Sequence, residues 1–429
     1  MSKGLVRLML MLAAWACGVL ASSDAARANV VLDWNVITVQ TIGTGATATP
    51  PRAGPPTTGD YAKVHLAMHD AVQAFERRYA TYTDPINGAA GSPDAAAAKA
   101  ARDVLAALYP AQASALDVSL SDFLAANGLA ANDPGIAIGA AAAARLLAAR
   151  ANDGYFPSSS TPFVGGTAVG QWRPTPSYLP GPPAAFSSMA APWLATVKPF
   201  ALRNPAQFRP KAPPAVTSAT YTRHYREVKA LGSLASGERT AAQTDLAYFW
   251  SDNFFAQWNR ALRAIALSEG LGVGDSARLF ALANVAIADA AITAWDSKLT
   301  FAFWRPITAI QEGDNDGNPK TIGDPSWQSL INNPNYPDFT SGANNVTGAV
   351  TRILQRFFGT NAMAFSVTSA VPVVVQKTRN FTRFSQAADE VVEARILLGI
   401  HFRFADTVAR RQGQRVADWA FTHVLRPLD

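Results

Sequence analysis

The sequence predicts an all-α protein. Alanine-rich stretches with apolar residues at helical spacing run through both halves of the 429-residue chain. Strand signals are nearly absent, and residues 371–375 form the one β-branched run worth naming. Hydrophobic content of 49% against 16% charged residues describes a chain that folds around a large buried interior. Its length allows one large domain or two fused lobes.

Residues 1–28 read as an export signal. Lys3 and Arg7 give a positive start, residues 8–20 an apolar core, and Ala26-Arg27-Ala28 a small-x-small cleavage site. The expected mature chain begins at Asn29 and belongs in the periplasm or outside the cell. Helical periodicity begins within residues 59–79, where Val64, Ala67, Met68, Ala71, Val72 and Phe75 recur on one face. Three alanine-rich helices follow at 94–108, 114–126 and 136–151, completing an N-terminal helical lobe over 29–156.

Residues 157–215 break the pattern. Between Pro157 and Pro214 lie 13 of the 28 prolines, which remove backbone donors and disfavour helix in the preceding residue. A long irregular crossing is expected, of the kind that forms a functional wall or joins two lobes. Trp172, Phe186, Trp193 and Phe200 give it the means to pack down. Helices resume at 218–231, 241–267, 276–295, 341–358, 385–399 and 406–424, enough for a bundle over 216–429 that carries a buried polar site.

Composition excludes several classes. Cys17, the one cysteine, lies in the export segment, so the mature chain has no disulfides and no cysteine metal ligands. Removing Lys3, Arg7, Arg27 and Asp24 leaves 34 basic and 30 acidic residues, a net charge of +4. Those basic residues are scattered, which argues against nucleic acid as a partner and suits a small anionic substrate. Beyond residue 28 no uninterrupted apolar run reaches the ~18 residues of a membrane span.

Three C-terminal segments concentrate oxyanion-binding capacity. Lys298 and Arg305 stand seven apart, about two helical turns and ~20° from the same face. Pro306 pushes Arg305 out of helical geometry, leaving a point-charge donor and a planar fork at a helix end. Thr340-Ser341-Gly342-Ala343 precedes an apolar-periodic stretch. Ser341 is placed to cap it, the following amides point along the positive end of the helix dipole, and Gly342 lets a ligand approach the backbone. Arg395 and His401 stand six apart, ~120° from each other on a helix, and Gly399 can relax the turn between them.

Taken together, Lys298-x6-Arg305-Pro306, Ser341-Gly342 and Arg395-x5-His401 resemble the three-part signature of the vanadium-dependent haloperoxidases and type 2 phosphatidic-acid-phosphatases. His65-Leu-Ala-Met-His69-Asp70, Gln171-Trp-Arg-Pro-Thr-Pro176 and Phe303-Trp304-Arg305-Pro306 resemble the exported, chloroperoxidase-like branch, so the likeness extends over most of the mature chain. It implies vanadate as cofactor, with phosphate able to occupy the same site. Lys298, Arg305 and Arg395 would bind its oxygens, Ser341 and the Gly342 amide would add hydrogen bonds, and His401 would ligate vanadium. The implied reaction is halide oxidation by hydrogen peroxide. In a phosphatase the same imidazole would attack a phosphomonoester and become a phosphohistidine.

One position departs from the pattern. Ala343 stands where members of this family usually carry a histidine that moves a proton, and Thr340 replaces a usual proline. A methyl group cannot act as general acid, a role that typically contributes ~10²–10⁴-fold, so low turnover or altered oxyanion chemistry is a third reading. The remaining polar clusters carry less. His65 and His69 lie four apart with no third ligand in sight and read as a packed helix face. The stretch Asp314-Asn-Asp-Gly-Asn318 has its glycine too early for a calcium loop and reads as a turn. His224 and His423 have no motif context.

Overall fold

A computed structural model describes residues 29–47, 51–180 and 186–428. The predicted export signal, with Cys17, lies outside these residues. Thirteen α-helices and one β-hairpin are present among the described residues, in agreement with the all-α reading.

In the N-terminal half, α1 (Val30–Gly43), α2 (Thr58–Glu76), α3 (Pro93–Leu108), α4 (Ala113–Ala126) and α5 (Gly135–Ala149) pack together. Sequence periodicity missed α1, whose apolar residues are buried around Val31 and Trp34 and whose N-cap is Asn29. Six alanines on α3, Ala95 to Ala98 with Ala100 and Ala101, are fully buried and let α2 and α5 approach closely. The crossing then leads to α6 (Ala219–Leu231), α7 (Ala241–Phe249) and α8 (Phe254–Ser268). The single helix expected over 241–267 is therefore two. Trp250–Asn253 breaks it, and the Asn253 side chain accepts the Phe255 and Ala256 amides to start α8.

At the centre runs α9 (Val273–Phe301), with α2 packed on one side and α11 (Gly342–Phe358) and α13 (Arg403–His423) on others. By length and composition α9 could cross a membrane, although its sequence holds no uninterrupted apolar run of that length; its apolar window is wholly buried among the other helices. Between them stand α10 (Pro306–Gln311) and α12 (Phe384–Leu397). The hairpin pairs β1 (Ala362–Thr368) with β2 (Thr378–Arg383) antiparallel, placing Phe365 opposite Phe381. The β-branched run at 371–375 is the connection between these strands rather than a strand, and Val373 and Val375 are exposed there.

The crossing packs down through its aromatic residues. Trp172 is fully buried between Phe163 and Phe186, stacked at 5.9 and 6.4 Å. Further along, the Asp289 carboxylate on α9 accepts the amides of Phe200, Ala201 and Leu202 at 2.7, 2.8 and 3.0 Å. Burial raises Asp289 to about 6 despite these donors. The discounted clusters are structural. His65 meets Asn35 at 2.9 Å, His69 meets the Ala80 carbonyl at 3.2 Å, and Asp70 accepts the Tyr82 and Thr83 amides. Asp316 closes the 314–318 turn by accepting from Asn318 and Thr321. His224 stacks on Phe404 and the exposed His423 on Trp419.

Candidate oxyanion site

Three chain segments converge at the C-terminal ends of α9 and α12 and the N-terminal end of α11. Lys298 occupies the last turn of α9, which stops at Phe301 with Ala302 in a left-handed conformation at φ 42°. Arg305 is extended, at φ −83° and ψ 157°, and stands at the N-cap position of α10, as Pro306 requires. The helix thus ends one turn before the arginine rather than beside it. Two short pairings fix the connecting loop. The Trp172 amide donates to the Ala302 carbonyl at 2.6 Å, and the Trp304 amide to the Gly170 carbonyl at 2.9 Å. So the crossing holds Arg305 in place.

Arg395 lies in the last turn of α12, and Gly399 turns the chain at φ +77° so that His401 re-enters the interior. That glycine meets Gly232, whose carbonyl would lie 2.3 Å from any Cβ added at 399. After His401, Phe402 and Phe404 stack at 5.1 Å and anchor the segment in an aromatic cluster with Tyr221 and Phe303.

The site is buried and rich in positive charge. Lys298 and Arg305 are 0% exposed, His401 1% and Arg395 7%, so none of them is a solvated surface group. Lys298 Nζ donates to the carbonyls of Pro337 and Asp338 at 2.5 and 3.1 Å. Arg305 donates through Nε to the Tyr336 carbonyl at 2.8 Å and through Nη1 to the Ile400 carbonyl at 2.7 Å. Its Nη2 and the Nε of Arg395 are buried and have no protein acceptor among the described residues. Buried donors in that state are costly unless a ligand satisfies them.

Asp338 orients His401. Its Oδ1 lies 2.6 Å from His401 Nδ1, and Arg305 Nη1 lies 3.3 Å from Nε2. The carboxyl takes the Nδ1 proton as acceptor, leaving the Nε2 lone pair turned toward the arginines. Desolvation, then Arg305, Lys298 and Arg395, hold the imidazole well below its usual pKa, so it is neutral at pH 7. Desolvation pushes Asp338 up to about 7 against the pull of Arg305 and Lys298. Burial lowers Lys298, and it lowers Arg305 to about 10, a value at which the guanidinium stays charged near neutrality.

Ser341 stands at the N-cap position of α11, yet its hydroxyl makes no cap bond to the helix amides, which corrects the capping role expected from sequence. It lies instead against Asp406, a buried carboxyl on α13 that also accepts from Asn344 at 2.8 Å. Desolvation raises Asp406 well above the usual carboxylate range. Thr340 and Asn345 join this wall. Thr340 donates to Gln412 at 2.8 Å and accepts from Asn345 at 2.9 Å, while Gln412 donates to Ser297, next to Lys298, at 3.1 Å. The network ties the first turn of α11 to α9 and α13.

Gly342 and Ala343 open onto a cavity of about 70 Å³, with Arg395 and His401 among its polar lining and Trp295 and Tyr336 beside them. The structure therefore gathers Lys298, Arg305, Arg395 and His401 around one point and sets Gly342 at its rim. Sequence reasoning missed Asp338, Asp406 and Tyr336. A carboxylate between Pro337 and Phe339, three residues before Ser341, was the available signal for the first.

Residues 278–429 match the family model of the second helical-bundle domain of vanadium chloroperoxidase. Vanadium chloroperoxidase from Curvularia inaequalis is 28% identical over 299 residues, which cover 54% of this chain and 48% of the relative. The chain thus spans about half the length of that curated relative. In structure it is similar to a bacterial vanadium-dependent iodoperoxidase, with a TM-score of 0.76 and 23% identity, covering 93% of this chain and 96% of the other. A bacterial vanadium-dependent chloroperoxidase gives a TM-score of 0.73 and 18% identity over 93% and 98% of the two chains, a likeness of fold. Residues 278–429 thus resemble that family's second helical-bundle domain, and the two solved structures share the fold of the described chain.

Proposed function

We propose that this protein is a vanadium haloperoxidase-like enzyme, exported with residues 1–28 removed, that binds vanadate and uses hydrogen peroxide to oxidise a halide. The observation that carries this reading is the pairing of a neutral His401, held through Nδ1 by Asp338, with buried arginine donors that lack protein acceptors. These residues fit a tetrahedral oxyanion. Arg305 Nη2 and Arg395 Nε would donate to its oxygens, Lys298 would add charge, and His401 Nε2 would be the ligand atom. Vanadate bound there supplies the Lewis acidity that activates peroxide.

The protein's own residues do the rest. Asp338 keeps the Nε2 lone pair directed at the anion, while the Thr340–Gln412–Ser297 network fixes the α11 terminus relative to Lys298. Burial of the cations strengthens their hold, because fewer waters screen them. Ala343 supplies no proton, so we expect low turnover. A second reading, phosphomonoester hydrolysis through His401, draws support from the same geometry, since a neutral, oriented imidazole is also a nucleophile. Assays of the vanadate-loaded protein for iodide and bromide oxidation, with p-nitrophenyl phosphate hydrolysis alongside, separate the two. Absence of both activities, even at high protein concentration, contradicts the enzymatic reading.

A further inference from the structure

The cavity beside His401 has a chemical character of its own. Its end near Arg395 and His401 is polar, whereas Phe254, Phe255, Ala291 and Val346 build its walls and Ala343 completes one side. Phe254 also lies under the Arg395 guanidinium, 5.4 Å from ring centroid to Cζ. A larger or ionisable side chain at 343 would take up part of this space and make it polar. With alanine there, the volume next to the anion is left apolar. Its volume of about 70 Å³ holds the equivalent of about five waters at ~15 Å³ each, the bulk of a single ring, and apolar walls around convergent polar groups are the usual make-up of small-molecule pockets.

We propose that this pocket receives an aryl-sized apolar group lying against the bound oxyanion, and that Ala343 is the specificity-determining residue that admits it. Such a group has two chemical sources. It is either a separate aromatic acceptor standing next to the anion or the organic substituent of the oxyanion itself. The inference rests on the oxyanion reading above and adds the class of organic partner.

Calorimetric titration of the apo protein with phenylphosphonate and methylphosphonate tests it, since both offer the same anionic group. Phenylphosphonate is expected to bind at least roughly tenfold more tightly, from burial of the ring. In Ala343→Leu the preference should fall to about threefold or less. Ala343→Val, a smaller change, should show an intermediate ratio and covers the case in which the leucine variant does not fold. Phenol titrated into phosphate-saturated protein distinguishes the sources. Tighter phenol binding with phosphate present supports a separate acceptor, and a phenylphosphonate preference alone supports a substituent. Equal affinity of the native protein for the two phosphonates overturns the inference while leaving the anion site standing. A preference that persists unchanged in Ala343→Leu places the ring elsewhere and also overturns it. If neither phosphonate binds, the oxyanion reading itself fails.

Discussion

Asp338 is the residue whose removal separates structure from chemistry most clearly. In Asp338→Ala the acceptor 2.6 Å from His401 Nδ1 is lost, and at pH 8, where the carboxyl is ionised, Lys298 and Arg305 lose a compensating charge in a fully buried setting. Breaking a buried pair by removing one partner costs about 3–5 kcal/mol. With an unfolding entropy of about 2 cal/mol/K per residue, a cooperative unit of ~400 residues would lose about 4–6 °C in Tm. Asp338→Asn keeps an oxygen acceptor and forfeits only the difference between a charge-assisted and a neutral hydrogen bond, about 1 kcal/mol. The two binding readouts should diverge. At pH 8 both variants should bind sulfate at least as tightly as the native protein, because a carboxylate no longer opposes the anion. Vanadate binding should weaken in Asp338→Ala, because Nε2 is no longer aimed. Scanning calorimetry and sulfate and vanadate titrations read these effects. An unchanged Tm together with unchanged vanadate affinity in Asp338→Ala would refute the orienting role.

Ala343→His should raise halide oxidation or phosphatase turnover about 10-fold or more by returning a proton donor, as steady-state rates would show; a loss of rate would mean that proton transfer runs through another group. Native sulfate affinity should fall as pH rises through about 7, where Asp338 ionises and adds negative charge, by up to tenfold per pH unit above that point. The same raised carboxyl makes folded stability decline from the ordinary carboxylate range toward pH 7, and Asp338→Asn should flatten both profiles in calorimetry. Asp289→Ala leaves three amides of the crossing without their acceptor and should cost about 3 kcal/mol or more in denaturant unfolding, whereas a surface variant such as Asp389→Ala should cost little.

Much of this architecture was legible because it rests on local rules. Apolar periodicity marked α2 and alanine-rich stretches α3 to α5, Pro306 forced Arg305 out of helix, and Gly399 marked the turn that brings His401 back to Arg395. What escaped the sequence depends on contacts distant along the chain. Asp338 and His401 are 63 residues apart, and their pairing follows from the fold alone. The Ser341 hydroxyl was read as a cap from its position, yet Asp406 on α13 competes for it in the folded state. The break at Trp250–Asn253 went unnoticed because the flanking residues keep helical periodicity, and the Asn253 cap shows only once α8 is placed. Residues 371–375 misled because β propensity reports side-chain fit to a sheet, and here the paired residues lie on either side of the run.

One buried site, made by Lys298, Arg305, Arg395 and His401, is proposed to hold a vanadate-sized oxyanion. Vanadium content measured by elemental analysis, after vanadate loading and gel filtration, tests it most directly. The native protein should retain about one vanadium per chain, phosphate should displace it, and His401→Ala should retain little. Arg305→Ala and Arg395→Ala should each bind about ten- to a hundred-fold more weakly, from the loss of a charge-assisted contact of ~1.5–3 kcal/mol. Full vanadium retention in His401→Ala and in both arginine variants would contradict the claim and put the anion elsewhere on the protein.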